Sequence, residues 1–158
     1  MITVIDNVVE EHIAILIDDY MKNLSWKFDY ESKRGQPNKH WHVLCGHNKE
    51  ECDENGFDWA TWIFETAKKK IGKDLTYERI YCNAHTHGIE PHLHIDDGDF
   101  TMIYYPRMDW KKEWGGELEL YYDNDLNTPC VSISPQFNRC VVFSTTSFTY
   151  HGSPDPIQ

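Results

Sequence analysis

From Val8 to Lys22 the apolar positions are Val8, Val9, Ile13, Leu16, Ile17 and Met21, spaced close to the helical period. The stretch therefore predicts a helix with one greasy stripe turned to a core. A second helix is predicted from Asp58 to Ile71, where Trp59, Trp62, Ile63, Phe64, Ala67 and Ile71 recur at helical spacing. Gly72 supplies its stop, and Lys68, Lys69 and Lys70 suit the negative end of the helix dipole. Past Gly72 the period shortens to two. The runs YERIYCNA, PHLHID, FTMIYYP, GELELYY, CVSISP, CVVFST and SFTYHG follow one another, broken by Gly, Pro, Asp and Asn, and predict a back half built of strands. Helices followed by many short strands point to an α+β, mainly β fold, with a sandwich or jelly roll buttressed by N-terminal helices. Between the helices, Tyr30 to Gly56 is polar and punctuated by Gly35, Pro37 and Gly46, and it carries His40, Trp41, His42 and His47. It predicts a long irregular loop of the kind that serves as a lid or binding element.

Composition narrows the range of function. A chain of 158 residues with 40% hydrophobic and 14% aromatic content is expected to fold as one domain. The formal charge of -11, with basic residues only in short clusters, leaves no cationic face for phosphates, so nucleic acid is not expected as a partner. Five cysteines without a CxxC pair argue against a disulfide framework or a thiolate zinc site and fit a reducing compartment. The apolar run Ile13 to Ile17 is short and flanked by acids, so no signal peptide or membrane partner is expected, and the location is expected to be cytoplasmic.

Candidate chemistry concentrates in EPHLHIDDGDF, Glu90 to Phe100. On a strand, His92, His94 and Asp96 share a face while Leu93 and Ile95 point the other way. An imidazole nitrogen and a carboxylate oxygen at neighbouring positions of that face can hold one cation together, and they suit a borderline divalent metal better than calcium or magnesium. A third ligand is needed. His151 follows the strand-like SFTY late enough in the chain to return beside the pair, and two histidines with one carboxylate form the facial triad of non-haem Fe(II) oxygenases.

HIDDGDFTMIYYPRMDWKKEWGGELELYY and then ISPQFNRCVVFSTTSFTYHG together resemble the Fe(II)- and 2-oxoglutarate-dependent dioxygenases, specifically their prolyl 4-hydroxylase-like branch. The similarity covers roughly residues 79 to 152 and keeps five motifs in order: HxD, a YY strand, WGGE, P-x-x-N-R-hydrophobic, and HG. It implies a double-stranded β-helix flanked by helices, with Fe(II) on His94, Asp96 and His151. It also implies 2-oxoglutarate as cosubstrate, dioxygen as partner, ascorbate as an optional reductant, and hydroxylation of prolyl residues in a peptide or protein. Tyr105 matches the position whose phenol bonds the far carboxylate of the cosubstrate, and Asn83 is a weaker candidate for that pocket. Trp41 and His92 are tentative substrate-side residues. The resemblance further implies a basic anchor on a last strand, ten or more residues after the distal histidine. Gln158 lies seven residues past His151, so residues 1–158 are expected to be one domain lacking that strand. For Trp114, Gly115 and Gly116 a structural role is expected, a bulge or close backbone approach. Arg139 is expected to be a salt-bridged or surface strand residue.

Two other functions are compatible with the same residues. HLHIDD also resembles the HxHxD core of two-zinc metallo-hydrolases, although those place the motif early and need further ligands downstream. A non-catalytic jelly-roll binding module would keep the fold without the chemistry.

Overall fold

The computed structural model describes residues 1–31, 39–89, 92–122, 125–147 and 150–153. In chain order its elements are β1 (Ile2–Ile5), α1 (Glu11–Lys22), β2 (Lys27–Tyr30), β3 (His40–Gly46), α2 (Lys49–Glu54), α3 (Asp58–Ile71), β4 (Ile80–Ala84), β5 (Phe100–Tyr105), a 3-10 turn (Lys112–Trp114), β6 (Leu118–Tyr121), β7 (Val131–Ile133), β8 (Arg139–Ser144) and β9 (Tyr150–Gly152). The fold is mainly β with few helices, and its strands form three small antiparallel sheets ordered β1-β8-β5, β2-β3-β4 and β7-β6-β9.

Strand β8 shows why the layers form. Its run CVVF is apolar at every position because both of its faces are covered. Cys140 and Val142 pack with Val8, Val9, Ala14, Ile17, Ile63 and Ala67 on the helix side. Val141 and Phe143 pack with Leu118, Leu120 and Ile133 of the β7-β6-β9 sheet. The neighbouring strand β5 alternates in step, with Met102 and Tyr104 toward the helices and Ile103 and Tyr105 toward the β7-β6-β9 sheet. A third cluster, Cys45, Cys52, Phe57, Ala60 and Cys82, joins the β2-β3-β4 sheet to α2 and α3. All five cysteines are free thiols.

The second predicted helix matches α3 at both ends, and Gly72 closes it in the left-handed conformation at φ 71°. The first begins later than expected, at Glu11, and Val8 and Val9 are buried in the turn before it. Leu16 is exposed rather than in the stripe, because Ala14, Ile17 and Asp18 form the buried face and Leu16 points about 100° away from Ile17. The long irregular loop expected from Tyr30 to Gly56 is corrected: its described part is β3 followed by α2, and residues 32–38 lie outside the described residues. Val43 and Cys45 turn into the third cluster while His40 and His42 fill alternate positions, so the polar look of this strand comes from one face. Asn48 caps α2 by accepting from the Glu51 amide at 2.9 Å. Helix α1 is tied to the loop after β5 through Asp18, which is buried, bonds Lys22 at 2.7 Å and accepts from the Met108 amide.

Asn138 holds β8 to the start of α1. It sits at φ 60° in the turn before β8, its side chain accepts from the Val9 amide at 3.2 Å and donates to the Val9 carbonyl at 2.8 Å, and it is 1% exposed. Asn138→Ala leaves both Val9 groups buried without partners and puts a Cβ residue in the left-handed region. The expected cost is roughly 3 kcal/mol or more, a fall in Tm of roughly 6–12 °C. Asn138→Gly keeps the backbone conformation and loses only the side-chain bonds, so its fall is expected to be smaller by about 1 kcal/mol. Equal melting of the two variants by circular dichroism would show that the left-handed conformation contributes nothing.

Arg139 follows directly and is a salt-bridged strand residue. Its guanidinium holds Asp6 at 2.6 and 3.1 Å and donates to the Ser134 carbonyl and to Gln136. The Arg139 hydrogen bond keeps the Asp6 carboxyl below its ordinary range. Gly115 and Gly116 take φ 71° and 80° and turn the chain out of the 3-10 turn toward β6, a pair of conformations that suits glycine. Trp114 packs edge-on against Trp110 at 5.4 Å, with Arg107 and Lys111 over its ring.

Candidate metal centre

PHLHID does not form the strand that its alternation predicts. Only His94 pairs, in an isolated bridge with His151 closed by two backbone bonds of 2.9 Å, and Glu90 and Pro91 lie outside the described residues. That bridge brings together side chains 57 positions apart. β9 carries His151 between this bridge and β6, with Leu120 opposite His151 in the register. The crossing is very close at Gly152, where a Cβ would stand 2.9 Å from the His92 carbonyl oxygen and 3.2 Å from the Leu93 Cα. The HG dipeptide thus sets a candidate ligand before a glycine whose missing side chain lets the strand lie there.

His94, Asp96 and His151 offer one donor atom each, all within 4.8 Å of one another. His94 Nε2 is 3.5 Å from Asp96 Oδ1, and His151 Nε2 is 3.2 Å from Asp96 Oδ2. Atoms that bind one ion at ~2.1 Å from adjacent corners stand roughly 3 Å apart, so the donor set fits one borderline divalent cation. Each ligand is braced from behind. The His94 Nδ1–H donates to the His92 carbonyl at 3.0 Å, which turns Nε2 and its lone pair toward the triad. Thr101 Oγ1 donates to Asp96 Oδ2 at 2.7 Å, and Phe143 packs edge-on against the His151 ring at 4.9 Å. Sequence analysis did not single out Thr101. The available signal was its place as the first residue of β5 on the face shared with Ile103 and Tyr105.

The electrostatics agree with a metal-binding role. Burial opposes the charged form of Asp96, but the His151 hydrogen bond and charge, with the Thr101 bond and His94, outweigh it and hold the carboxyl down at about 2. Burial pulls His94 below its ordinary value, so the ring stays neutral and able to donate a lone pair.

The triad opens into a cavity of about 1080 Å³. Tyr105, Asn83 and His92 all line it. Burial pushes the Tyr105 phenol well above its ordinary value, which keeps it a hydrogen-bond donor. Asn83 already accepts the His42 Nδ1–H at 2.7 Å. Trp41 packs on Phe28 at 5.1 Å, on the face of β3 opposite His40 and His42, and is not among the described residues that line the cavity. Two histidines unassigned by sequence analysis do line it: His40 and His85, rings 5.1 Å apart. Burial lowers both, His85 to about 4, with smaller contributions from His42 and His94 at His40 and from His40 and His94 at His85.

Residues 76–158 match the family model described as the 2OG-Fe(II) oxygenase superfamily. Among solved structures, the chain is similar to a prolyl hydroxylase from Trichoplax adhaerens in complex with a hypoxia inducible factor oxygen degradation domain peptide fragment. That match has a TM-score of 0.59 and 17% identity over 97% of this chain and 77% of that one. It is also similar to a Pseudomonas putida prolyl-4-hydroxylase, with a TM-score of 0.64 and 12% identity over 99% of this chain and 86% of that one. At these identities the likeness is one of fold.

Proposed function

From the premise that this chain belongs to the 2OG-Fe(II) oxygenase superfamily, we propose that it hydroxylates prolyl residues of a peptide or protein at a centre held by His94, Asp96 and His151. The chain is a dioxygenase that uses Fe(II) and 2-oxoglutarate. The observation that carries the residue assignment is the convergence of these three donors, from a bridge and a strand far apart in the chain, on one point in a wide cavity. Its fold likeness to two prolyl hydroxylases supports the prolyl substrate. The pairing of β5 with β8, and of the His94 bridge through β9 and β6 to β7, supports a double-stranded β-helix.

Bound together, Fe(II) and 2-oxoglutarate supply the activation of dioxygen that lets an unreactive C–H bond be hydroxylated, with release of succinate and carbon dioxide. The protein's residues bind, orient and exclude water. Asp96 stays anionic and offsets charge on the cation, while Thr101 fixes one of its oxygens. Tyr105, protonated and on the Thr101 face of β5, would donate to a carboxylate of the cosubstrate, and the buried Phe143 ring packs against His151. His92 stands beside the triad as a substrate-side residue.

The HxHxD metallo-hydrolase is not supported, because the described donor group contains His94, Asp96 and His151 without His92 and the family is the oxygenase one. An anaerobic titration with Fe(II) and then 2-oxoglutarate tests the centre. A weak visible charge-transfer band is expected once both are present, followed on aeration by succinate and a one-oxygen mass gain on a prolyl peptide. No band after both additions would defeat the proposed centre, and a band with no gain on any prolyl peptide would defeat the prolyl substrate.

A further inference from the structure

Opposite the triad, the β2-β3-β4 sheet presents a row of planar side chains. The Arg79 guanidinium lies over the Tyr81 ring at 5.4 Å, and Tyr81 is 5.3 Å from His42. His42 stacks on Tyr30 at 3.8 Å and 7°, Tyr30 meets His40 edge-on at 5.3 Å, and His40 meets His85 edge-on at 5.1 Å. Arg79, Tyr81, His40 and His85 line the same cavity as the triad. His40 is 5% exposed, and among the described residues its Nε2 has no hydrogen-bond partner. A buried imidazole nitrogen in that condition calls for a ligand group or water to complete it.

Charge supplies the second observation. Among the described residues that line the cavity, six are acidic (Asp18, Asp74, Glu78, Asp96, Asp97 and Asp99) against three arginines and lysines, Lys22, Arg79 and Arg107. Glu78 reaches to within 3.8 Å of where a Gly98 Cβ would stand, so Glu78, Asp97 and Asp99 gather at the Arg79 end of the row. A row of mostly half-exposed aromatic rings suits the flat, preformed rings of a proline-bearing chain in the extended polyproline conformation, and an acidic rim suits basic residues beside it. Nucleic acid bases also stack on such faces, but phosphates would meet a chain of charge -11.

We infer that the row from Arg79 through Tyr81, His42, Tyr30 and His40 to His85 is a docking platform for an extended, proline-bearing peptide, and that the acidic rim selects basic residues flanking the proline. This rests on the prolyl hydroxylation proposed above and names the class of peptide. The platform orients the chain across the sheet so that one ring faces the triad.

Binding is measured by fluorescence anisotropy on the Fe(II)- and 2-oxoglutarate-loaded protein without dioxygen. The probes are two short labelled peptides with the same proline-rich core, one flanked by lysines and one by glutamates. The lysine peptide is expected to bind at least about tenfold tighter at low salt, with the gap closing as salt rises. Tyr30 and His42 are partly exposed and outside the metal site. In the double variant Tyr30→Ala, His42→Ala the lysine peptide is expected to bind about tenfold more weakly, with an unchanged charge-transfer band. Unchanged affinity in that variant, no binding of either peptide to the parent, or displacement of the peptide by oligothymidylate would overturn the platform. Equal affinity for the two peptides would overturn the selection by the rim. If the parent shows no band but the variant still loses peptide affinity, the oxygenase centre falls and the platform stands.

Discussion

Asp96→Ala is expected to abolish both Fe(II) uptake and 2-oxoglutarate turnover. Asp96 lies between the two imidazoles, with its oxygens 3.5 and 3.2 Å from their Nε2 atoms, and it is the only anion of the triad. Its removal takes away one donor and the charge that offsets the cation, and leaves only the two imidazoles to hold the ion. A graded comparison makes the result specific. Thr101→Val removes only the hydrogen bond that fixes Asp96 Oδ2, so a roughly 10- to 100-fold loss of Fe(II) affinity is expected there, and a larger loss in Asp96→Ala. His92→Ala keeps the backbone carbonyl that orients His94 and is expected to leave Fe(II) binding largely intact. Anaerobic Fe(II) binding across the three variants checks the order. A His92→Ala protein as metal-free as Asp96→Ala would show that the ligand set is wrong.

Gly152→Ala is expected to disturb the metal centre through a single added methyl group. The added Cβ would meet the His92 carbonyl oxygen at 2.9 Å, and that neighbour is backbone, so no side chain can swing away to relieve it. Either β9 or the 92–94 segment has to move. Both carry a ligand, and the two 2.9 Å bonds between His94 and His151 lie next to the clash. Overpacking of this kind costs roughly 1–3 kcal/mol of stability. The displaced ligand geometry is expected to cost a further 10- to 100-fold or so in Fe(II) affinity. The measurement is a thermal melt with and without Fe(II). The parent should gain stability from the ion, and Gly152→Ala should melt lower and gain much less. An equal gain in both proteins would show that the crossing tolerates a Cβ.

Much of the fold and centre was legible wherever one local rule governed the outcome. Helix α3 could be read to its last residue because its apolar face, its terminal lysines and its left-handed glycine all agree. Strands β4 to β9 follow from alternation and breakers, and the triad from HxD with a late histidine. Elements fixed by distant partners were less legible. Leu16 fits the periodicity but lies off the face that Ala14 and Ile17 define, and only the packed core says which face wins. β1 has four residues and no punctuation of its own, and becomes a strand because β8 is there to pair with it. β3 looked like loop because His40 and His42 sit on the cavity side, where polar rings are useful, while its apolar side is only half the sequence. Thr101, His85 and the clash behind Gly152 depend on cross-chain distances that no spacing in the chain encodes.

The pairing of β1 with β8 also sets when this protein can fold. Ile2 lies opposite Phe143 and Ile5 opposite Cys140, so the first strand has no described sheet partner until β8 has been made. Closing so long a loop is entropically slow, and a growing chain on the ribosome would hold its first strand unpaired until β8 emerges. His151 follows later still. The His94, Asp96 and His151 donor set is therefore completed late in biogenesis.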